Sequence, residues 1–437
     1  MTSPHTPTTA PPGSFAVDRR SRVVAVLTLV GAFNLMDRQI LAILLDPIAR
    51  ELGASDTAMG LLTGFAFVSF YTIAGLPLAR VADRSSRRTL IAGALAFWSG
   101  LTMMSGTVSA YWQLAVARVG VGVGEAATMP ASQSIVADLF APAQRTLALS
   151  TLQLGAPIGL MLAFIVGGLL ERAVGWRWTM VAVGLPGVLL SALVWFFVRE
   201  PVRGASDGQA VDRASYTVGE TFAYLWRLRS LRHVTLAAAW STFAAWALLV
   251  WSPSFLIRIH GMTTAEAGRW LGLAAGVGGT MGTFLGGLAA QRLSRRDPRW
   301  LLWVPALTSA AAIPCLTLFL AARRPERALP MFFAVTCLGP AILGPVVTAT
   351  QALARVRMRA LAAALVTMTY NLVGVGLGPF VVGALSDALA PSVGVSSLRY
   401  ALASAALALL GATIHFARGA AWFARERGAA SGRIEEP

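Results

Sequence analysis

Along this chain the apolar residues do not alternate with polar ones. They gather into long, nearly unbroken runs. Twelve such runs lie near 22–45, 57–79, 89–108, 112–138, 146–170, 177–198, 234–257, 266–290, 300–321, 329–353, 360–385 and 398–417. Roughly 20 apolar residues in helical form cross the hydrocarbon core of a bilayer. Each run approaches or exceeds that length, so the pattern predicts an all-α membrane protein with twelve transmembrane helices. A membrane β-barrel is excluded, because its strands alternate over only about ten residues each.

The longest internal polar stretch, 199–233, separates six runs from six. The expected organisation is a tail over 1–21, a six-helix half over 22–198, a linker over 199–233, a second six-helix half over 234–418 and a tail over 419–437. In the linker, Phe222, Tyr224, Leu225 and Trp226 mix with Arg227, Arg229 and Arg232. That mixture suits a short helix lying on an anionic membrane surface. The stretch "MTSPHTPTTAPPGSF" is rich in Pro and Thr and has no apolar core, so it reads as a disordered tail.

The two halves echo each other. "ARVADRSSRR", 79–88, follows the second run, and "GLAAQRLSRR", 287–296, follows the eighth. One shift of 208 residues carries Arg84, Ser86, Arg87 and Arg88 onto Arg292, Ser294, Arg295 and Arg296, and Gly53 and Gly60 onto Gly261 and Gly268. Parallel repeats with a site between them are the expected build of a rocking transporter.

Composition supports a membrane chain: 56% of residues are hydrophobic and 13% charged. The net charge of +16 alone would also suit a nucleic-acid partner. Its distribution argues against one. All 36 basic residues are Arg, and 25 of them fall in the segments that share a side with the N-terminus. That bias predicts cytoplasmic termini, and it scatters the charge over short loops rather than one face. Cys315 and Cys337 fall inside runs and read as packing residues.

Four charges stand clear of the ends of the apolar runs: Asp37 and Arg38 in the first, Arg118 and Glu125 in the fourth. Each unpaired charge at mid-membrane costs roughly 2.5–3.5 kcal/mol on insertion scales. Neighbours on a helix point about 100° apart, so Asp37 and Arg38 do not satisfy each other. Arg118 and Glu125, two turns apart, share one helix face at about 10 Å. Counting along both runs puts Asp37 and Arg118 at similar depth, which predicts a pair and leaves Arg38 for Glu125. Asp37 and Glu125 are candidate proton carriers, and Arg118 is the candidate anchor for an anionic headgroup, since guanidinium matches phosphate geometry. Asn34, Trp246, Tyr370 and Asn371 are weaker candidates for lining a cavity. Trp240 is a further weak candidate, and for all five packing is the plainer reading. The glycine-rich "GVGVGEA" and "GVGLGPF" follow no strand and suit helix packing, not phosphate binding.

The loop "ARVADRSSRR" resembles the loop motif of the major facilitator superfamily, approximately G-x-L-a-D-R-x-G-R-R. Ala79 and Ser86 replace its glycines, and Gln291 replaces its Asp in the second copy. "MDRQILAILLDPI" and "ARVGVGVGEAATMPASQSIVADLFAPAQR" further resemble the first and fourth spans of the Spinster family of lipid transporters. Those are recognised by an Asp-Arg pair and by an Arg ahead of G-E-A. The resemblance implies a twelve-helix bundle. It also implies a gate at the cytoplasmic surface, built from Asp83, Arg84, Arg88, Asp138 and Arg145, that latches the halves when the opposite side is open.

No nucleophile with a base, metal-ligand cluster or cofactor loop stands out, so an enzyme is not expected. The expected function is proton-coupled secondary transport, by a monomer in a bacterial inner membrane, of an amphipathic lipid-like anion such as a lysophospholipid or sphingoid phosphate. The alternatives are a drug or small organic anion carrier and, outside transport, a lipid scramblase or receptor. Membrane lipids are the expected surroundings, protons the coupling ion, and no cofactor is called for. Because Asp83 would serve in one state only, Asp83→Asn is expected to shift the population toward the state open at the cytoplasmic side. Distances between spin labels on the cytoplasmic ends of the two halves check this; unchanged distances would make Asp83 an ordinary loop residue.

Overall fold

The computed structural model describes residues 19–201, 218–354 and 358–430. The first span is one helix, Arg19–Leu52. The second joins Asp56–Leu61, a π-helical turn Leu62–Ala66 and Phe67–Arg84. The third is Arg87–Ser105, and the fourth breaks into Tyr111–Glu125 and Thr128–Leu139. The fifth starts as Pro142–Gln153 and continues from Gly155 until Gly175, at φ 76°, turns the chain into the sixth, which ends at Phe197. A short helix, Val218–Arg227, precedes the seventh span, Arg229–His260. The eighth joins Thr264–Leu273, a π-helical turn Ala274–Gly278 and Gly279–Ser294. The ninth is Trp300–Ala321. The tenth runs through Pro325–Leu338, Gly339–Ile342 and Leu343–Leu353. The eleventh comprises Arg359–Tyr370, a π-helical turn Asn371–Gly376 and Leu377–Val393. Ser397–Leu402 and Ser404–Ala430 make the twelfth.

The apolar runs are thus all helical, and the described residues form twelve spans. The last helix overruns the expected boundary at 418. Its extension is tied down by Glu426, which accepts from the backbone N–H groups of Arg229 and Ser230, at 2.8 and 2.9 Å, and from the Ser230 hydroxyl. A carboxylate at a helix N-terminus satisfies donors the helix cannot. Outward faces carry apolar side chains such as Phe196, Leu147 and Leu407, each at least 72% exposed to the surrounding medium, which suits contact with lipid.

The repeat legible in the sequence is geometric. Gly53 and Gly261 end the first and seventh spans with φ of 63° and 67°, a conformation that costs glycine no steric penalty. Ser55 and Thr263 then cap the following helices with their hydroxyls. Gly60 lets the second span approach the eleventh, where an added Cβ would lie 2.4 Å from the Pro379 carbonyl oxygen. Gly268 does the same for the eighth span against Phe164 of the fifth, at 2.2 Å. Each half therefore lends one helix to a close contact with the other.

Those contacts lie on the face opposite the chain ends, called here the far face. One apolar core spans both halves there, including Ile40, Ile43, Met59 and Phe164 from the first and Trp251, Phe255, Leu271 and Val382 from the second. Toward the face bearing the chain ends the core divides. One cluster serves the first half, with Leu27, Ile91, Leu95, Trp98 and Ile135, and another the second, with Leu231, Leu302, Val346 and Phe416. The halves are joined at the far face and separately cored at the other.

A polar clamp accompanies the far-face core. Arg258 of the seventh span donates to Asp46 of the first, at 2.9 and 2.7 Å, and with both terminal nitrogens to Asp56 of the second, at 2.7 and 2.8 Å. Ser386 of the eleventh span adds a bond to Asp56 at 2.7 Å. Asp387 accepts from the Asp56 and Thr57 N–H groups at 3.1 and 2.7 Å, and Thr264 bonds Glu171 across the fifth and eighth spans. Arg258→Gln removes both ion pairs and strands Asp46 and Asp56. The variant is expected to shift the population toward a state open at the far face by about tenfold, a loss of about 1.4 kcal/mol from a partly exposed clamp. Label distances between residues on the second and eleventh spans report it; no lengthening would mean the apolar core alone closes this face.

Candidate functional site

The candidate site begins where the first and fourth spans bury opposite charges together. Asp37, Arg118 and Glu125 retain 4%, 2% and 1% of their exposure. Arg118 lies 3.9 Å from the Asp37 carboxylate and donates to its backbone carbonyl at 3.2 Å. Asp37 also accepts from Thr102 of the third span, at 2.7 and 2.8 Å to its two oxygens. The fourth span thus supplies the counter-charge, and the third a hydrogen bond, that a buried carboxylate on the first needs. Thr102 escaped the sequence reading, because a lone Thr in an apolar run carries no signal beyond its polarity.

Glu125 closes the first segment of the fourth span, directly before the break at Ala126 and Ala127. Neither of its carboxylate oxygens accepts a hydrogen bond from a described protein group. Asn34, one turn before Asp37, lies beside it, and the charges of Asp37, Arg38 and Arg118 all act on it.

Arg38 departs from the expectation that it would pair with Glu125. No ion pair joins them. The guanidinium stacks instead on Phe67, Tyr71 and Trp246, with its central carbon 4.7, 5.6 and 4.6 Å from the ring centroids. Phe67 and Tyr71 are four residues apart on the second span, their rings stacked at 6.1 Å, so one helix face forms one wall. Trp246, from the seventh span, forms the other. Arg38 is half-buried at the boundary of the halves, whereas Arg118, the expected anchor, is buried within the first half beside Phe67.

The remaining lining candidates scatter. Tyr370 packs beside the core of the second half, and Asn371, half-buried, opens the π-helical turn of the eleventh span. Trp240 is 41% exposed and sits against Gly411 of the twelfth span.

The expected gate residues lie at the face of the chain ends, where Arg87, one of several arginines of the loop, is the buried cation. Arg87 is 3% exposed. It donates to Asp138 at 2.5 Å, Ser134 at 2.7 Å, Glu200 at 2.7 Å and the Pro201 carbonyl at 3.1 Å. It therefore binds the ends of the third, fourth and sixth spans into one unit. Arg88 stacks on Trp195 at 4.8 Å and donates its backbone N–H to Glu200 at 2.9 Å. Arg84 is exposed and Arg145 half-buried near the start of the fifth span. Asp83 is in the last turn of the second span, and its side chain lies outside the described residues. Burial pushes the Glu200 carboxyl up, but the Arg88 N–H and the Arg87 guanidinium outweigh it and hold the group below the usual carboxylate range.

Twelve spans in two repeated halves, joined at one face around buried charges, define a membrane transporter of the rocking type. The chain belongs to the Major Facilitator Superfamily, whose sequence profile matches residues 27–379. It is 36% identical over 400 residues to an MFS-type efflux pump of Mycolicibacterium smegmatis, covering 90% of this chain and 91% of that one. It is 28% identical over 449 residues to the sphingosine-1-phosphate transporter SPNS2 of Danio rerio, covering 94% and 86%. Its structure superposes with a TM-score of 0.82 on a crystal structure of a bacterial homolog of the human lysosomal transporter Spinster in an inward-facing and unoccupied conformation. That match has 26% identity and covers 97% of this chain and 100% of that one. The chain is an integral membrane transporter resembling Spinster, and not an enzyme.

Arg87→Gln should take the buried guanidinium away from Asp138 and Glu200, and is expected to cost about 3–5 kcal/mol of stability at neutral pH. Because the folded-state Glu200 carboxyl is held below its ordinary range, its share is fully present above roughly pH 4.3 and is lost as pH falls through the folded value. Thermal melts of the purified chain should therefore show a wide gap between parent and variant at pH 7 that narrows below about pH 4. An equal gap at both pH values would rule out Glu200 as a contributor.

Proposed function

We propose that this chain moves an amphipathic anion of lysophospholipid or sphingoid phosphate type across a bacterial inner membrane by alternating access, coupled to protons, as a monomer. With both termini cytoplasmic, the far face is extracytoplasmic and the conformation described is the inward-facing one. The observation that carries the substrate class is the position of Trp246. The ring stacks on Arg38 and also lines an apolar cavity with about 170 Å³ of free space. Leu160, Leu248, Phe332 and Leu409 are among its walls. A guanidinium and an apolar cavity that share one aromatic ring suit a ligand with an anionic head and a hydrocarbon tail. The name of the zebrafish relative, a transporter of sphingosine-1-phosphate, supports the same class.

Coupling follows from the carboxylates. Glu125 has only Asn34 beside it and no close cation, whereas Asp37 has Thr102 and Arg118. Proton arrival at Glu125 removes one negative charge from a cluster whose formal charges sum to zero, leaving a net positive site for an anion. Proton departure restores the balance and favours release. A second reading, a carrier of drugs or small organic anions, is favoured by the similarity to a mycobacterial efflux pump.

Reconstituted vesicles separate these readings. Flux of a lysophospholipid should follow an imposed proton gradient, while small organic anions should move at least tenfold more slowly. Glu125→Gln should abolish the gradient dependence with expression unchanged. Gradient dependence surviving in both Glu125→Gln and Asp37→Asn would remove these carboxylates as proton sites, and faster flux of small anions would favour the second reading.

A further inference from the structure

The contact between Arg38 and Trp246 joins the halves where their cores divide. Trp246 and Leu372 of the second half pack against the cluster that otherwise belongs to the first, and Val375 is part of it. At that junction Arg38 is held by rings from both sides, Phe67 and Tyr71 on one and Trp246 on the other. Its Nε is buried and donates to nothing. A guanidinium so placed has neutralising neighbours only through ring faces and distant charges.

We propose that Arg38 is an anion-released tie between the halves. Without an anion the guanidinium stays clamped to Trp246. When an anionic headgroup arrives, the Nε and terminal N–H fork turns to pair with it, and the contact with Trp246 is given up. The energetics favour that exchange, since a charge-assisted bidentate pair is stronger than a contact with one ring face. Neutralising the guanidinium also weakens whatever attraction to the ring remains. The second half is then freed at mid-depth only when cargo is present, which couples binding to rocking. This inference rests on the reading of the cargo as an amphipathic anion, and it assigns to Trp246 a role opposed to simple affinity: the ring competes with the cargo for Arg38.

Affinities of hexyl phosphate and neutral hexyl glucoside for the purified full chain test it. If the tie exists, Trp246→Leu should bind hexyl phosphate about three- to tenfold more tightly relative to hexyl glucoside, because the competing ring is gone. Trp246→Phe, which keeps a ring, should fall between parent and Trp246→Leu and guards against loss of folding. In the double variant Arg38→Ala with Trp246→Leu the gain should vanish. If Trp246→Leu leaves the ratio unchanged or lowers it while Arg38→Ala still weakens hexyl phosphate, the tie is refuted and the anionic-cargo reading stands. If the parent itself does not prefer hexyl phosphate to hexyl glucoside, that broader reading fails and the tie fails with it.

Discussion

The structure depends on one electrostatic constraint: a charge taken out of water into a helical bundle must find its counter-charge inside the bundle. Asp37, Arg118 and Glu125 are each at least 96% buried, so the first and fourth spans are bound to one relative position by charge as well as by packing. Thr102 brings the third span into the same arrangement. Two groups of the cluster stay incompletely satisfied in a way that a ligand or a proton could relieve. Glu125 has Asn34 beside it but no ion pair, and Arg38 has rings in place of acceptors. A transporter needs such incompletely satisfied groups, because only a site that gains something on binding a proton or an anion can change its preferred conformation.

The same constraint acts at both faces of the bundle with opposite consequences. At the far face, Arg258 meets Asp46 and Asp56 across the boundary between halves, so charge pairing is tied to one conformation. At the face of the chain ends, Arg87 meets Asp138 and Glu200 within the first half and the segment leaving it. That pairing stiffens one moving body instead of joining two. Rocking of two rigid halves needs both kinds of contact, one that persists and one that breaks.

Repetition explains why the halves can rock at all. Gly60 with Pro379 and Gly268 with Phe164 place backbone against backbone at two contacts related by the repeat. Small residues at such crossings allow close approach with few interlocking side chains. Gly53 and Gly261 turn the chain alike after the first and seventh spans, so the helices enter these contacts in matching register.

The sequence by itself determined the number of spans, the division into halves and which charges sit deep inside the first and fourth spans. Uninterrupted apolar runs and isolated charges have only one physical solution in a bilayer, which is internally bonded helices with the charges turned inward. The spacing of Arg118 and Glu125 on one helix was also legible, because helix geometry is local. Which charge meets which partner was not. Arg38 was expected to reach Glu125 and instead stacks on aromatic rings, one of them more than 200 residues away in the chain. Arg87 looked like one of several loop arginines until Asp138 and Glu200 converged on it. Asp46, Asp56, Arg258 and Asp387 sit near span ends, where a charge is ordinary, and only the meeting of the two halves turns them into a clamp. Local periodicity records which residues must leave the lipid, but the rotation and tilt of each helix against its neighbours come from packing. Tertiary structure alone therefore decided the partners.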